Sequence, residues 1–249
     1  MQRFVQRWSE LRNILIGAEQ WLLPGSCLLC DEAVREDALI CDSCRQRFPR
    51  LGHPQCCRCG QPLTPGIDCR LCLTWPAGFE GVQSAVWLDD RARRAVHRFK
   101  YDGWWRAADA MAQVMIGSVS IRRDSTLIPI PLSAGRERTR GYNQSAVLAE
   151  AVAKRLGLRV VPILRRGRET GTQTALTPEA RRANLAGAFT VGATPPVNPV
   201  LVDDVFTTGA TLAEAAQALL AAGSPRVLGV TFARAARPLG DAVASLSSR

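Results

Sequence analysis

The sequence predicts an α/β domain built on a mainly parallel sheet flanked by helices and preceded by a small cysteine-rich module. Three observations carry this. All nine cysteines of the 249 residues lie between Cys27 and Cys72. Beyond residue 80, short and continuously apolar segments such as Val200-Leu201-Val202 alternate with helical stretches, the pattern of strands buried on both faces of a parallel sheet. One of these segments runs from a buried strand through two adjacent acids and a Thr- and Gly-rich turn into a helix, over Pro199–Leu212. With 47% hydrophobic and 22% charged residues, the composition is that of a globular protein and excludes disorder, collagen and coiled coil.

From the N-terminus, residues 1–23 are basic and amphipathic through Phe4, Trp8, Leu11 and Leu15, and predict a helix packed on the protein. Arg12 and Glu19 interrupt the apolar run before a secretory core forms. No stretch reaches the roughly 18–20 apolar residues of a membrane span, so a cytoplasmic protein without a transmembrane segment is expected.

Residues 24–76 form the cysteine module. It reads Cys27-x-x-Cys30, Cys41-x-x-Cys44, Cys56-Cys57-x-Cys59 and Cys69-x-x-Cys72, an internal repeat of two halves with Cys57 left over. A disulfide framework or an iron–sulfur cluster also uses many cysteines, but paired C-x-x-C steps are the spacing at which two thiolates reach one tetrahedral Zn²⁺. Eight thiolates predict two structural Zn²⁺ sites, wired either in tandem or cross-braced. So short a segment builds little core of its own, and metal binding supplies its folding free energy. Closed Cys₄ sites leave no open position for catalysis. His53, between the halves, is expected at the surface.

Trp75-Pro76-Ala77-Gly78 ends the module, and residues 80–249 form the α/β domain. Strands are expected over 82–88, 127–131, 159–164, 199–203 and 227–232. Helices are expected over 91–100, 104–117, 144–156, 178–185 and 211–222. Ligands of such sheets sit beyond the carboxyl ends of the strands. There Asp203 and Asp204 are followed by Thr207, Thr208, Gly209, Ala210 and Thr211, a turn whose free amides and helix dipole favour an anion. Thr211 and Glu214 have capping-box spacing, which would fix the helix start. Two carboxylates beside an anion cradle are costly unless they serve a sugar phosphate with hydroxyls, or a metal.

This segment resembles the phosphoribosyl-diphosphate (PRPP) binding motif of type I phosphoribosyltransferases. The resemblance implies that Asp203 and Asp204 hold the ribose hydroxyls, directly or through Mg²⁺, and that Thr207 to Thr211 cradle the 5′-phosphate of PRPP or a related sugar phosphate. Arg140-Gly141, with Arg136 and Arg138 upstream, resembles the pyrophosphate loop. Gln173, Arg181 and Asn184, in a polar Gly/Thr-rich stretch, would belong to a mobile flap. The order of zinc module and transferase domain over residues 20–235 is similar to the ComF/GntX family, through the four C-x-x-C pairs, His97-Arg-Phe-Lys-Tyr-Asp102, Arg140-Gly-Tyr-Asn-Gln-Ser145 and the 201–212 motif. The family is associated with natural competence, so DNA-uptake proteins and incoming single-stranded DNA are implied partners. As an enzyme it would move the phosphoribosyl group to a nitrogen acceptor that the sequence does not specify.

A second function class comes from charge. The net +10 arises from 30 Arg and only 2 Lys, and all of the excess lies in residues 81–249. Arg94, Arg98, Lys100, Tyr101 and Trp104 interleave cations with aromatics, as a single-strand-binding surface does. In this alternative the protein handles single-stranded DNA without catalysis. No Ser/His/Asp or Cys/His catalytic set is present, since no cysteine lies outside the module and the only histidines are His53 and His97.

Overall fold

A computed structural model describes residues 25–34, 38–52, 54–63, 69–167 and 187–235. The expected helix over 1–23, His53, the helix over 178–185 and the flap residues Gln173, Arg181 and Asn184 lie outside the described residues. By compactness the chain divides into residues 1–47 and 48–249. The division falls inside the cysteine module, so its second half belongs to the same unit as the α/β domain.

In the first unit the described structure is the Cys27–Cys44 ribbon with one short helix, α1 (Asp42–Gln46). Cys41 Sγ accepts the amide of Cys44 at the start of that helix.

The second unit carries a five-stranded sheet of β1 (Phe79–Trp87), β2 (Thr126–Pro129), β3 (Arg159–Val160), β6 (Pro199–Phe206) and β7 (Val227–Arg234). Its order is β1-β7-β6-β2-β3, and every pairing is parallel. A separate antiparallel hairpin is made by β4 (Leu164–Arg166) and β5 (Phe189–Val191). The single strand expected over 159–164 is therefore two. Pro162 removes a ladder donor between them and releases the chain from the sheet. Residues 200–202 are buried, as an apolar strand inside a parallel sheet requires.

Helices α2 (Asp90–Tyr101), α3 (Ala107–Ile116), α4 (Ala134–Arg140), α5 (Gln144–Leu156) and α6 (Ala210–Ala221) complete the unit. Asp89 caps α2 by accepting the amide of Ala92 at 2.8 Å. The buried residues of α2, Ala92, Ala95, Val96 and Phe99, recur at helical spacing. Gly103, at φ +72, and the turn after it hold α3 back to Ala107 rather than 104. The helix α4 stands where a loop was expected, capped by Ser133 and closed by Gly141 in the left-handed conformation. Phe79, Phe99, Phe206, Phe232, Met111, Leu127, Leu148 and Leu201 make the core.

Along the chain the connections leave β2 toward β3 on one side of the sheet and β6 toward β7 on the other. The order reverses between β2 and β6, the place where sheets of this kind open a crevice at their carboxyl ends.

Candidate functional site

In each half of the cysteine module, four thiols converge. The Sγ atoms of Cys27, Cys30, Cys41 and Cys44 all lie within 4.8 Å of one another, and so do those of Cys56, Cys59, Cys69 and Cys72. The wiring is thus tandem. Individual separations of 3.7 Å for Cys30–Cys41, 3.7 Å for Cys56–Cys72 and 3.8 Å for Cys69–Cys72 match the edge of about 3.8 Å that a tetrahedron with Zn–S near 2.3 Å requires. The repeat extends to the backbone. Cys27 N–H donates to Glu32 O and Asp31 N–H to Cys27 O, and Cys56 N–H donates to Gln61 O and Gly60 N–H to Cys56 O. Asp31 (φ +59) and Gly60 (φ +68) occupy the same left-handed position in the two knuckles.

The thiols are prepared for a cation. Burial raises the Cys27 thiol, but amides of Cys41, Leu29 and Cys30 outweigh it and bring it down to about 7. Cys56 is brought to about 7 in the same way by the amides of Cys59 and Arg58. Burial and neighbouring sulfurs push Cys44, Cys59 and Cys72 up instead. Four adjacent thiolates therefore need a metal among them, and both sets fit structural Zn²⁺. Cys57 is exposed and belongs to neither.

At the carboxyl ends of β2 and β6 lies a cavity of about 360 Å³. Asp203 and Asp204 occupy the end of β6. Asp203 Oδ1 accepts from Ser145 Oγ at 2.8 Å and from the Asp204 amide at 2.9 Å. Asp204, 3% exposed, has Oδ2 2.8 Å from Lys100 Nζ. Burial, and then the charge of Asp204, raise the Asp203 carboxyl to about 6 against the opposing pull of Lys100 and Ser145.

The strand then enters the turn Thr207–Gly209. Gly209 is the N-cap of α6 at φ +76, and a Cβ there would lie 2.5 Å from Trp75 Cζ2 and 2.7 Å from Phe206 Cε2. Only glycine fits. The expected capping box does not form, because the helix begins at Ala210 and its N-cap is Gly209, two residues before Thr211. Glu214 accepts the Gly187 amide at 2.6 Å instead. Thr207 and Thr211 line the cavity.

The segment Arg140–Ser145 is legible residue by residue. Arg140 lines the cavity, and Gly141 ends α4 with its amide on Glu137 O. Among the described residues nothing lies within 4 Å of a Cβ placed at Gly141, which at φ +78 serves chain reversal. Asn143 accepts the amides of Ser145 and Ala146 to cap α5, and donates to Ile130 O. Arg136 also lines the cavity, whereas Arg138 is exposed elsewhere.

The remaining walls include Gln144 and Ser145 of the Arg140–Ser145 motif, and Arg166, which sequence did not single out. Arg93 from α2, Ser145 and Gln144 from α5 and Arg166 from β4 all face the cavity. Arg166 is half-buried over the Phe189 ring, and burial, followed by the charge of Arg136, pushes its pKa down. Cations that converge in this way favour an anion between them. The signals available for these residues were the Gln-Ser pair at the start of a helix and an Arg-rich hairpin.

The stripe expected to contact nucleic acid is divided by α2. Arg94 is exposed, Arg98 and Trp104 are half-buried, and Lys100 points into the cavity rather than outward. Tyr101, 61% exposed, stacks on His97 at 5.0 Å and carries the Arg140 guanidinium over its ring at 4.9 Å, with Arg140 donating to its hydroxyl at 3.1 Å.

The second ribbon reaches the cavity loop through the protein interior. Arg234, 1% exposed at the end of β7, donates to Cys59 O and to Gln61 Oε1, and its guanidinium covers the Phe206 ring at 4.3 Å. Arg58 donates to Cys72 O, Pro76 O and Phe79 O, and fixes Trp75 and Phe79 against the sheet.

The double zinc ribbon domain family matches residues 18–73. Over 218 residues the chain is 33% identical to the DNA utilization protein YhgH of Salmonella typhimurium, covering 82% of this chain and 95% of that one. The chain belongs to the ComF/GntX family. It is also similar to the competence protein ComFC of Bacillus subtilis, 28% identical over 79% of this chain and 89% of that one. ComFC of Streptococcus pneumoniae is 26% identical over 81% of this chain and 96% of its own length. Among the described residues of this ComF/GntX protein, no helix is long and apolar enough to cross a membrane.

Proposed function

We propose that the cavity binds PRPP with Mg²⁺, and that the protein works in the cytoplasm in the handling of incoming DNA beside DNA-uptake proteins. The observation that carries the ligand is the adjacent Asp203 and Asp204 at the end of β6, leading into a Gly209-capped helix in a cavity whose other walls are cationic. In this reading the Thr207–Thr211 turn takes the 5′-phosphate on backbone amides at the positive end of α6. The carboxylates accept the ribose hydroxyls, and Arg136, Arg140 and Arg166 face the diphosphate. Asp203 Oδ1 already accepts from Ser145 and Asp204 Oδ2 is paired with Lys100, so in this reading Mg²⁺ would arrive with the ligand's diphosphate.

Transfer, where it occurs, forms a bond from an acceptor nitrogen to C1′ and breaks the C1′–O bond. The electron pair leaves with the diphosphate and the nitrogen loses its proton. Positive charge gathers on the ribose beside the two acids and negative charge beside the arginines, the arrangement that lowers such a barrier. The DNA context rests on the relatives' names, which refer to DNA utilization and competence.

The test is calorimetric titration of the zinc-loaded protein with Mg-PRPP. Binding lost in the Asp203→Asn/Asp204→Asn double variant supports the reading, and binding that survives the double variant refutes it. The alternative, a single-strand-handling protein without turnover, is favoured by those names and by exposed Arg94. It predicts single-stranded DNA binding that weakens steeply with salt.

A further inference from the structure

Arginine fills 30 of the 32 basic positions of this chain, yet the cation lodged against the acid pair is one of its two lysines. Lys100 stands in the last turn of α2 with its side chain 19% exposed, and its Nζ is 2.8 Å from Asp204 Oδ2. Its surroundings are cationic: Arg93 from α2, Arg136 and Arg140 from α4, and Arg166 from β4, against Asp203 alone. A guanidinium presents a rigid fork that asks for two acceptors, whereas an ammonium is a compact point charge that one carboxylate oxygen satisfies. On the other side of the pair, Asp203 Oδ1 is taken by Ser145 and the Asp204 amide.

A bare divalent cation needs several open, hard oxygens, and this arrangement already engages one oxygen of each acid, Asp203 Oδ1 through hydrogen bonds and Asp204 Oδ2 through the Lys100 ion pair. What remains of the pair is acceptor capacity aimed at the cavity, suited to neutral hydroxyl donors. We propose that Lys100 is the resident counter-ion of Asp204 and a specificity-determining residue: it bars a free divalent cation from the acid pair, reserves the pair for sugar hydroxyls, and so admits metal only on the ligand's diphosphate. This rests on the reading of the cavity as a phosphoribosyl site.

The experiment uses the full zinc-loaded chain as wild type, Lys100→Met and Lys100→Arg. Two probes are titrated separately: Mn²⁺ alone, followed by electron paramagnetic resonance, and ribose 5-phosphate without added divalent metal, followed by calorimetry. The wild type binds ribose 5-phosphate and takes up no Mn²⁺. Lys100→Met gains Mn²⁺ binding, which the further Asp204→Asn change removes, and loses at least tenfold in ribose 5-phosphate affinity. Lys100→Arg keeps the charge and keeps Mn²⁺ out, an outcome that a purely structural role for the side chain does not give. Should Lys100→Met fail to fold, Lys100→Gln retains a donor to the carboxylate without the charge and carries the same expectations. Mn²⁺ uptake by the wild type, or a neutral variant that binds both probes as the wild type does, overturns the proposal while Mg-PRPP binding by the wild type leaves the phosphoribosyl reading standing. A wild type that binds neither ribose 5-phosphate nor Mg-PRPP overturns both.

Discussion

Gly209→Ala tests how the ligand turn is built. Two costs are expected at this position. Holding an alanine at φ +76 costs about 1–2 kcal/mol relative to glycine. Its Cβ would also lie 2.5 Å from Trp75 and 2.7 Å from Phe206, and both rings are buried and wedged, Trp75 by Phe79 and Phe206 by the Arg234 guanidinium. Overpacking of that kind costs about 1–3 kcal/mol, so the sum is about 2–5 kcal/mol. Gly157→Ala is the control, because Gly157 has φ +68 and, among the described residues, nothing within 4 Å of the added methyl. It should show only the first cost. Equilibrium urea unfolding, followed by tryptophan fluorescence, gives both midpoints, and calorimetry gives Mg-PRPP affinity for each. Gly209→Ala should be the less stable by about 1–3 kcal/mol and should lose ligand affinity, while Gly157→Ala keeps it. A double cycle with Trp75→Leu should recover part of the Gly209→Ala cost, since the smaller side chain makes room. Equal destabilisation by the two alanines, with no coupling to Trp75, refutes the idea that the second ribbon forms the back wall of the turn.

Asp203 makes the protein's stability and binding respond to pH in opposite ways. Its folded carboxyl titrates near 6 against an ordinary 3.8, so between about pH 4 and 6 the native state holds a proton that the unfolded state has lost. Stability therefore falls as pH rises through that window, by at most about 3 kcal/mol for a shift of about two units. Cavity water reduces this figure. Asp203→Asn should abolish that slope and raise the melting temperature at pH 7.5, and an unchanged slope defeats the assignment. Mg-PRPP affinity should fall as pH drops below about 6, because a protonated carboxyl is a poorer acceptor for hydroxyls; calorimetry across pH 5–8 measures it. Cys59→Ser should lower zinc from two to one per chain, measured by atomic absorption, and depress the melting of the α/β unit, since Arg234 is anchored on the Cys59 carbonyl. A variant with one zinc and unaltered melting contradicts that anchoring. Arg166→Met should weaken Mg-PRPP more than ribose 5-phosphate, as expected of a cation facing the diphosphate, and equal losses for the two ligands argue against that placement.

Much of this architecture is legible locally. Hydrophobic runs such as Val200–Val202 are sufficient to mark strands buried on two faces, and C-x-x-C pairs with nine or ten residues between them mark metal knuckles. Asp203, Asp204 and the Thr/Gly turn are contiguous, so their grouping at one end of a strand could be read without knowing the fold. Local pattern misleads where tertiary context competes with it. Thr211-x-x-Glu214 has capping spacing, but Gly209 already turns the chain and the Glu214 carboxylate is drawn to the Gly187 amide. Ser133–Gly141 has the polarity of a loop, yet its Ser cap and Gly stop enclose two turns of helix.

What the sequence alone determined is whatever depends on neighbours along the chain: the parallel α/β class, the two sets of four thiols, the acid pair and the Thr- and Gly-rich turn that follows it. Only the tertiary structure decided which residues from distant segments meet them. It chose the tandem wiring over the cross-braced one, put Lys100 on Asp204 from more than 100 residues away, brought Ser145 to Asp203, and set Arg234 between the Cys59 carbonyl and the Phe206 ring. Each is a contact across the sheet or between layers, where strand order and burial set the partners and periodicity carries no record of them.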